Sequence, residues 1–154
     1  MSTLKDRLQS DLTDAIRARD EVRAATLRMG LAAITTEEVS GKQARVLTDD
    51  EVVGVLSREA KKRRESVEAY AAADRVDLAD RERAELAVLA DYLPAALSAD
   101  EVAALISDAV AQARASGLEG MKAMGAVMKT LQPSVAGRAD GAEVAAAVRA
   151  ALGA

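Results

Sequence analysis

The densest chemistry in the chain is the run Arg58-Glu59-Ala60-Lys61-Lys62-Arg63-Arg64, where five cations meet one carboxylate. The whole chain carries a formal net charge of −4, so this run is a local inversion of sign. Guanidinium and ammonium groups at such density suit phosphate oxygens or an acidic partner, and arginine can grip two oxygens at once. On a helix, at about 100° per residue, the run does not fall on one side. With Val52 set at zero, Val52, Leu56, Val67 and Tyr70 lie within about 60° and form an apolar stripe. Arg58, Lys61, Lys62 and Arg64 spread over the opposite side. Arg63 lands at about 20°, inside the stripe. A cation there must snorkel out of the core or meet a carboxylate, and Glu59, one turn earlier, has the spacing to meet it. The expectation is a buried Arg63–Glu59 pair that fixes helix register, with four cations left for solvent or for phosphates.

Other groups carry weaker signals. Arg17, Arg19, Arg23 and Arg28 sit among Asp14, Asp20 and Glu21, and helix-surface ion pairs explain them. Asp74, Asp77, Asp80, Glu82 and Glu85 have a metal-like count, but Arg75, Arg81 and Arg83 interleave with them, so capping and surface pairing are expected. Met121, Met124 and Met128 stand at helical spacing and read as core, or else as a groove for a partner helix. Gly137-Arg138-Ala139-Asp140-Gly141 is a glycine-bracketed turn into a helix N-terminus. Such a turn can hold an anion on free backbone N–H groups, with Arg138 adding a contact, or serve as a connector capped by Asp140. It lacks the Gly-Lys-Ser/Thr element of a phosphate-binding loop.

Composition removes several classes. The chain of 154 residues has no Cys and no His. No thiol nucleophile, Ser-His-Asp triad, Cys/His zinc site or disulfide framework is available. No cofactor or metal is expected. Tyr70 and Tyr92 are the only aromatics, too few to stack single-stranded bases. No apolar run approaches a membrane span and the N-terminus has no signal-peptide core, so the expected location is cytoplasmic.

The elements that position these groups are helical. Alanine supplies 36 residues and proline 2, and the apolar periodicity is three to four throughout. A first helix is expected from about Thr3 to Arg19. A second, capped by Asp20, runs to about Val39 and is apolar on nearly all sides, which places it centrally. Thr48 and Glu51 form a capping box for a third helix reaching about Tyr70. Asp77 is the expected cap of a fourth, which runs through Tyr92 and buries Leu78, Leu86, Leu89 and Leu93. Leu93-Pro94 breaks the chain. Ser98 and Glu101 open a fifth helix, ended by Gly117 and Gly120. A short Met-lined helix closed by Pro133 follows, and Asp140 caps a last one with Val144, Val148 and Leu152. The expected fold is all-α, with a four-helix N-terminal part over residues 1–93 and a three-helix C-terminal part over 94–154.

Four stretches in order then carry a resemblance. They are Arg23-Ala-Ala-Thr26-Leu27-Arg28-Met29, Lys61 through Glu68, Arg75-Val-Asp77-Leu78 leading to Tyr92-Leu93-Pro94, and Met124-Gly125-Ala-Val127-Met128-Lys129 followed by residues 137–141. Over nearly the whole chain this resembles the GatB/YqeY family, stand-alone relatives of the tail domain of the B subunit of glutamine-dependent tRNA amidotransferase. The resemblance implies two helical parts and a tail that grips the outer body of tRNA. The family label also implies carbon–nitrogen ligase activity with glutamine as amido-N-donor, but the Ser/Lys amidase and the ATP-dependent centre of that complex lie in other domains. Relatives carry more Lys in the C-terminal part, whereas residues 93–154 here hold five basic and six acidic side chains. The leading expectation is therefore a non-catalytic module that binds structured RNA, tRNA above all, through Arg58, Lys61, Lys62 and Arg64, with Arg138 as an outlying contact. A protein–protein adaptor is the alternative, and glutamine-dependent amide transfer a third.

Overall fold

The computed structural model describes residues 3–153, and its helices are α1 (Leu4–Arg17), α2 (Glu21–Glu38), α3 (Asp49–Ala72), α4 (Val76–Ala90), α5 (Ala99–Ala115), α6 (Gly120–Val135) and α7 (Gly141–Leu152). No strand occurs among the described residues, and the fold is all-α. Helix starts follow local side-chain chemistry. Thr48/Glu51 and Ser98/Glu101 form reciprocal capping boxes, and Thr3/Asp6 forms a third that the sequence pattern did not single out. Asp20 accepts the Arg23 N–H, and Asp140 accepts those of Ala142 and Glu143. Three helix ends share one exit, in which the residue after the C-cap turns left-handed. Gly117 does this after α5, and Arg19 and Asp74 do it with φ of 57° after α1 and α3. The following N–H then reaches back five residues, as in Arg75 N to the Tyr70 oxygen at 2.9 Å.

Two compact units divide between Leu93 and Pro94. In the first, α2 and α3 each touch all of the other three helices, and Leu8, Leu27, Ile34, Val52, Leu56 and Leu89 fill the space between them. α2 is central, but its apolar surround is not all buried: Val22 is 42% and Met29 50% exposed. Gly30 lets α2 and α3 approach closely, since a Cβ there would lie 3.2 Å from Leu56 Cδ2. In the second unit α5, α6 and α7 pack mutually around Ile106, Val110, Val127, Leu131, Val144 and Val148.

Several local expectations are corrected. Asp77 does not cap α4: the helix starts earlier, with Arg75 as N-cap and no side-chain cap bond, and Asp77 in the first turn pairs with Arg75 at 3.2 Å. The left-handed turn at Asp74 brings Val76 directly into helix, and Arg75 holds the Asp77 carboxyl below its usual range. α4 also ends at Ala90 rather than Tyr92. Pro133 does not close α6, which continues to Val135. Proline's fixed φ is helical, and near the C-terminus its missing N–H forfeits one bond while Ala136 N still reaches the Gln132 oxygen at 3.1 Å. Of the methionine stripe, Met124 and Met128 pack against the core of the second unit, and Met121 does not. Ala123, Val127, Leu131 and Val135 are buried, Met124 and Met128 are half-buried, and Met121 is 84% exposed.

Candidate functional site

The register of α3 is set from inside the first unit. Val52, Val55, Leu56 and Ala60 are buried, and so is Arg63, at 4% exposure. Its guanidinium donates from Nη1 to Glu59 Oε2 at 3.1 Å and to the Glu59 carbonyl at 3.0 Å, from Nε to Glu85 Oε2 at 3.3 Å, and from Nη2 to Met29 Sδ at 3.7 Å. Arg63 therefore ties α3 to α2 and α4. Glu59 is the partner that one-turn spacing indicates. Glu85 is not legible that way, because it lies 22 residues along on α4 and meets Arg63 only after α3 and α4 pack. Burial pushes the Glu59 carboxyl up, but hydrogen bonds and charge from Lys62 and Arg63 outweigh this and hold it below its ordinary value.

With Arg63 turned inward, Arg58, Lys61, Lys62 and Arg64 are left exposed within about two turns of α3. Arg58 Nη2 meets Glu37 Oε2 of α2 at 3.2 Å, and Lys62 Nζ meets Glu59 Oε1 at 2.8 Å. Both cations are well exposed, at 60% and 70% of their side chains. The Arg58–Glu37 pair is exposed on both sides, and such pairs contribute only ~0.2–1 kcal/mol, so a phosphate oxygen can replace Glu37 there at little cost. The Arg64 side chain makes no ion pair or hydrogen bond among the described residues.

Arg138 belongs to the second unit, half-buried, where its Nε donates to the Ala95 carbonyl at 3.0 Å and its own carbonyl accepts the Leu97 N–H at 2.8 Å. It thereby fastens the segment leading into α5 to the turn leading into α7. The backbone donors that an anion would need in that turn are engaged too. Arg138 and Ala139 N–H bond the Val135 carbonyl, and Ala142 and Glu143 N–H bond Asp140 Oδ1 at 2.9 and 3.1 Å. The turn is a connector.

Several of the other charged groups pair within the fold. Arg17 pairs with Asp14 at 3.5 Å along α1. Arg23 instead crosses to Asp91 at 2.9 Å and donates to the Tyr92 hydroxyl at 2.8 Å. That hydroxyl donates to Asp11 at 2.6 Å, and the Arg7 guanidinium lies 4.8 Å from the ring centre. Burial and the Asp11 acceptor push the Tyr92 hydroxyl up to about 12. Asp80 pairs with Arg83 at 2.7 Å, and Glu85, which accepts from Arg63, also forms an ion pair with Arg81 at 3.6 Å. Among the described residues no three His, Cys, Asp or Glu side chains gather as a metal site, and no helix is long and apolar enough to cross a membrane.

These features define a class: a two-unit, all-α protein that presents a cationic helix face held in register by a buried ion triad. Residues 5–152 match the family model described as Yqey-like protein, and the chain belongs to that family. A protein of Pyrenophora tritici-repentis named altered inheritance of mitochondria protein 41, mitochondrial, is 30% identical over 141 residues, covering 89% of this chain and 74% of that protein. An uncharacterized protein of Schizosaccharomyces pombe is 33% identical over 87 residues, 56% of this chain and 69% of its own length. A Vanderwaltozyma polyspora protein with the same name as the first is 30% identical over 86 residues, and the match spans 46% of it.

Proposed function

We propose that the protein is a non-catalytic module that binds structured RNA, of tRNA type, through the outer face of α3. The observation that carries this reading is the placement of Arg58, Lys61, Lys62 and Arg64. The buried Arg63 fixes the helix so that the four remaining cations of the run stand in solvent. Phosphate contact and shape are the means of recognition available to a chain with two tyrosines, one of them buried in the Arg23–Asp11 network. A chain without Cys or His offers neither a thiol nucleophile nor an imidazole base, which supports a binding role over glutamine-dependent amide transfer. The proposed location is cytoplasmic.

The test is charge reversal. Lys61→Glu/Lys62→Glu should weaken binding of labelled bulk tRNA at least tenfold with the helical content unchanged. Unaltered affinity would exclude the α3 face. One observation favours the adaptor reading: α5 and α7 flank a groove of about 420 Å³ walled by Ile106, Val110, Ala111 and Ala147. Met121 is also exposed on α6. A protein partner retained after nuclease treatment, with no tRNA bound by the purified chain, would establish that role instead.

A further inference from the structure

Glu59 and Glu37 both touch the cationic face of α3, and they differ in what else they hold. Glu59 bonds Lys62 through one oxygen and the buried Arg63 through the other, so its carboxylate is held in place by the core. Glu37 has no such second duty: its carboxylate meets Arg58 at 3.2 Å and is 44% exposed. Its backbone, in contrast, is pinned. The Glu37 carbonyl accepts the Ser40 N–H at 3.2 Å and the Ser40 hydroxyl at 2.8 Å, which closes the last turn of α2. The result is a carboxylate held within reach of the first cation of the run while contributing little to the fold.

We propose that Glu37 is an internal competitor for the phosphate site. It occupies Arg58 in the free protein and must be displaced when a phosphate of structured RNA arrives. This deepens the RNA-binding reading and rests on it. A phosphate reaching Arg58 has to break the Glu37 contact and then sit close to the released carboxylate, so both steps disfavour the complex. Removing the charge at position 37 should therefore tighten binding. The expected gain is about two- to five-fold, the span that an exposed ion pair of this kind covers.

The experiment compares Glu37→Gln, Glu21→Gln and Arg58→Gln with Arg58→Gln/Glu37→Gln, using labelled bulk tRNA at about 50 mM salt and circular dichroism to verify folding. Glu21 lies at the other end of α2, about 24 Å away along the axis. Its neutralisation makes the same change in net charge beyond a screening length of roughly 10 Å. The proposal expects E37Q to bind about two- to five-fold tighter than wild type, E21Q to bind as wild type does, and the gain to vanish once Arg58 is gone. Equal effects of E37Q and E21Q, or a gain that survives in the Arg58→Gln background, would overturn the proposal and leave RNA binding intact. Wild-type protein that binds no tRNA at this salt would overturn the RNA reading itself, and this inference with it.

Discussion

Removing the Arg63 guanidinium should destabilise the first unit out of proportion to the volume lost. Arg63→Met keeps most of the aliphatic stem, so the main consequence is electrostatic. Glu59 keeps Lys62 at 2.8 Å, whereas Glu85, its side chain 10% exposed, keeps only Arg81 at 3.6 Å. A buried carboxylate deprived of its partner costs about 3–5 kcal/mol, and the residual Arg81 contact points to the lower end, about 3 kcal/mol. Glu85→Gln in the same background removes the stranded charge, so the double variant should be less destabilised than the two single variants added together, by at least about 1 kcal/mol. Urea unfolding is the suitable assay because it leaves ion pairs unscreened. Both tyrosines lie in the first unit, so their fluorescence reports that unit alone. A loss below about 1 kcal/mol in Arg63→Met, or strict additivity with Glu85→Gln, would refute the triad as the element that sets the register of α3.

Two further outcomes follow from the same geometry. The folded protein holds the Tyr92 hydroxyl at about 12, above its ordinary 10. The neutral phenol is therefore the form that folding favours, and its contribution is complete below pH about 10 and is lost as pH rises from about 10 to 12. Urea unfolding from pH 9 upward should show wild type losing more stability over that range than Tyr92→Phe, and parallel curves would contradict the assignment. Arg19 sits at φ 57°, where a Cβ is strained, and its side chain is exposed. Arg19→Gly should stabilise the first unit by about 0.5–1 kcal/mol, seen as a rise of a few degrees in Tm, and a drop in Tm would contradict it.

Much of this architecture is legible along the chain because its signals are local. Thr48 with Glu51 and Ser98 with Glu101 announce helix starts through bonds that close within one turn. Arg63 betrays its burial by sitting in an apolar stripe, and Glu59 answers it at the next turn down. Partners that come from another helix are not legible, since spacing within one element carries no information about packing between elements. Glu85 for Arg63 and Asp91 for Arg23 are of this kind. Arg138 has no visible mark of being engaged either, because its acceptor is a backbone carbonyl at Ala95, a group that every residue type supplies. Faces also blur at their edges. On α6 the buried line runs through Ala123, Val127 and Leu131, Met124 and Met128 pack beside it, and Met121, at the same spacing, falls in the first turn and stays exposed. At Asp77 an acidic residue near a helix start mimicked a cap, while the left-handed Asp74 had already begun the helix earlier.

The central claim is that the outer face of α3 engages phosphates, and the dependence of tRNA affinity on salt tests it most directly. Four cations that each neutralise one phosphate give a slope of log K against log salt of about −3 to −4. Affinity should then fall roughly sixty- to 250-fold between about 50 and 200 mM salt. Fluorescence anisotropy with labelled bulk tRNA measures this, and Lys61→Glu/Lys62→Glu should flatten the slope by about two. Binding that is absent at low salt, or that is present with a slope near zero, would contradict the account.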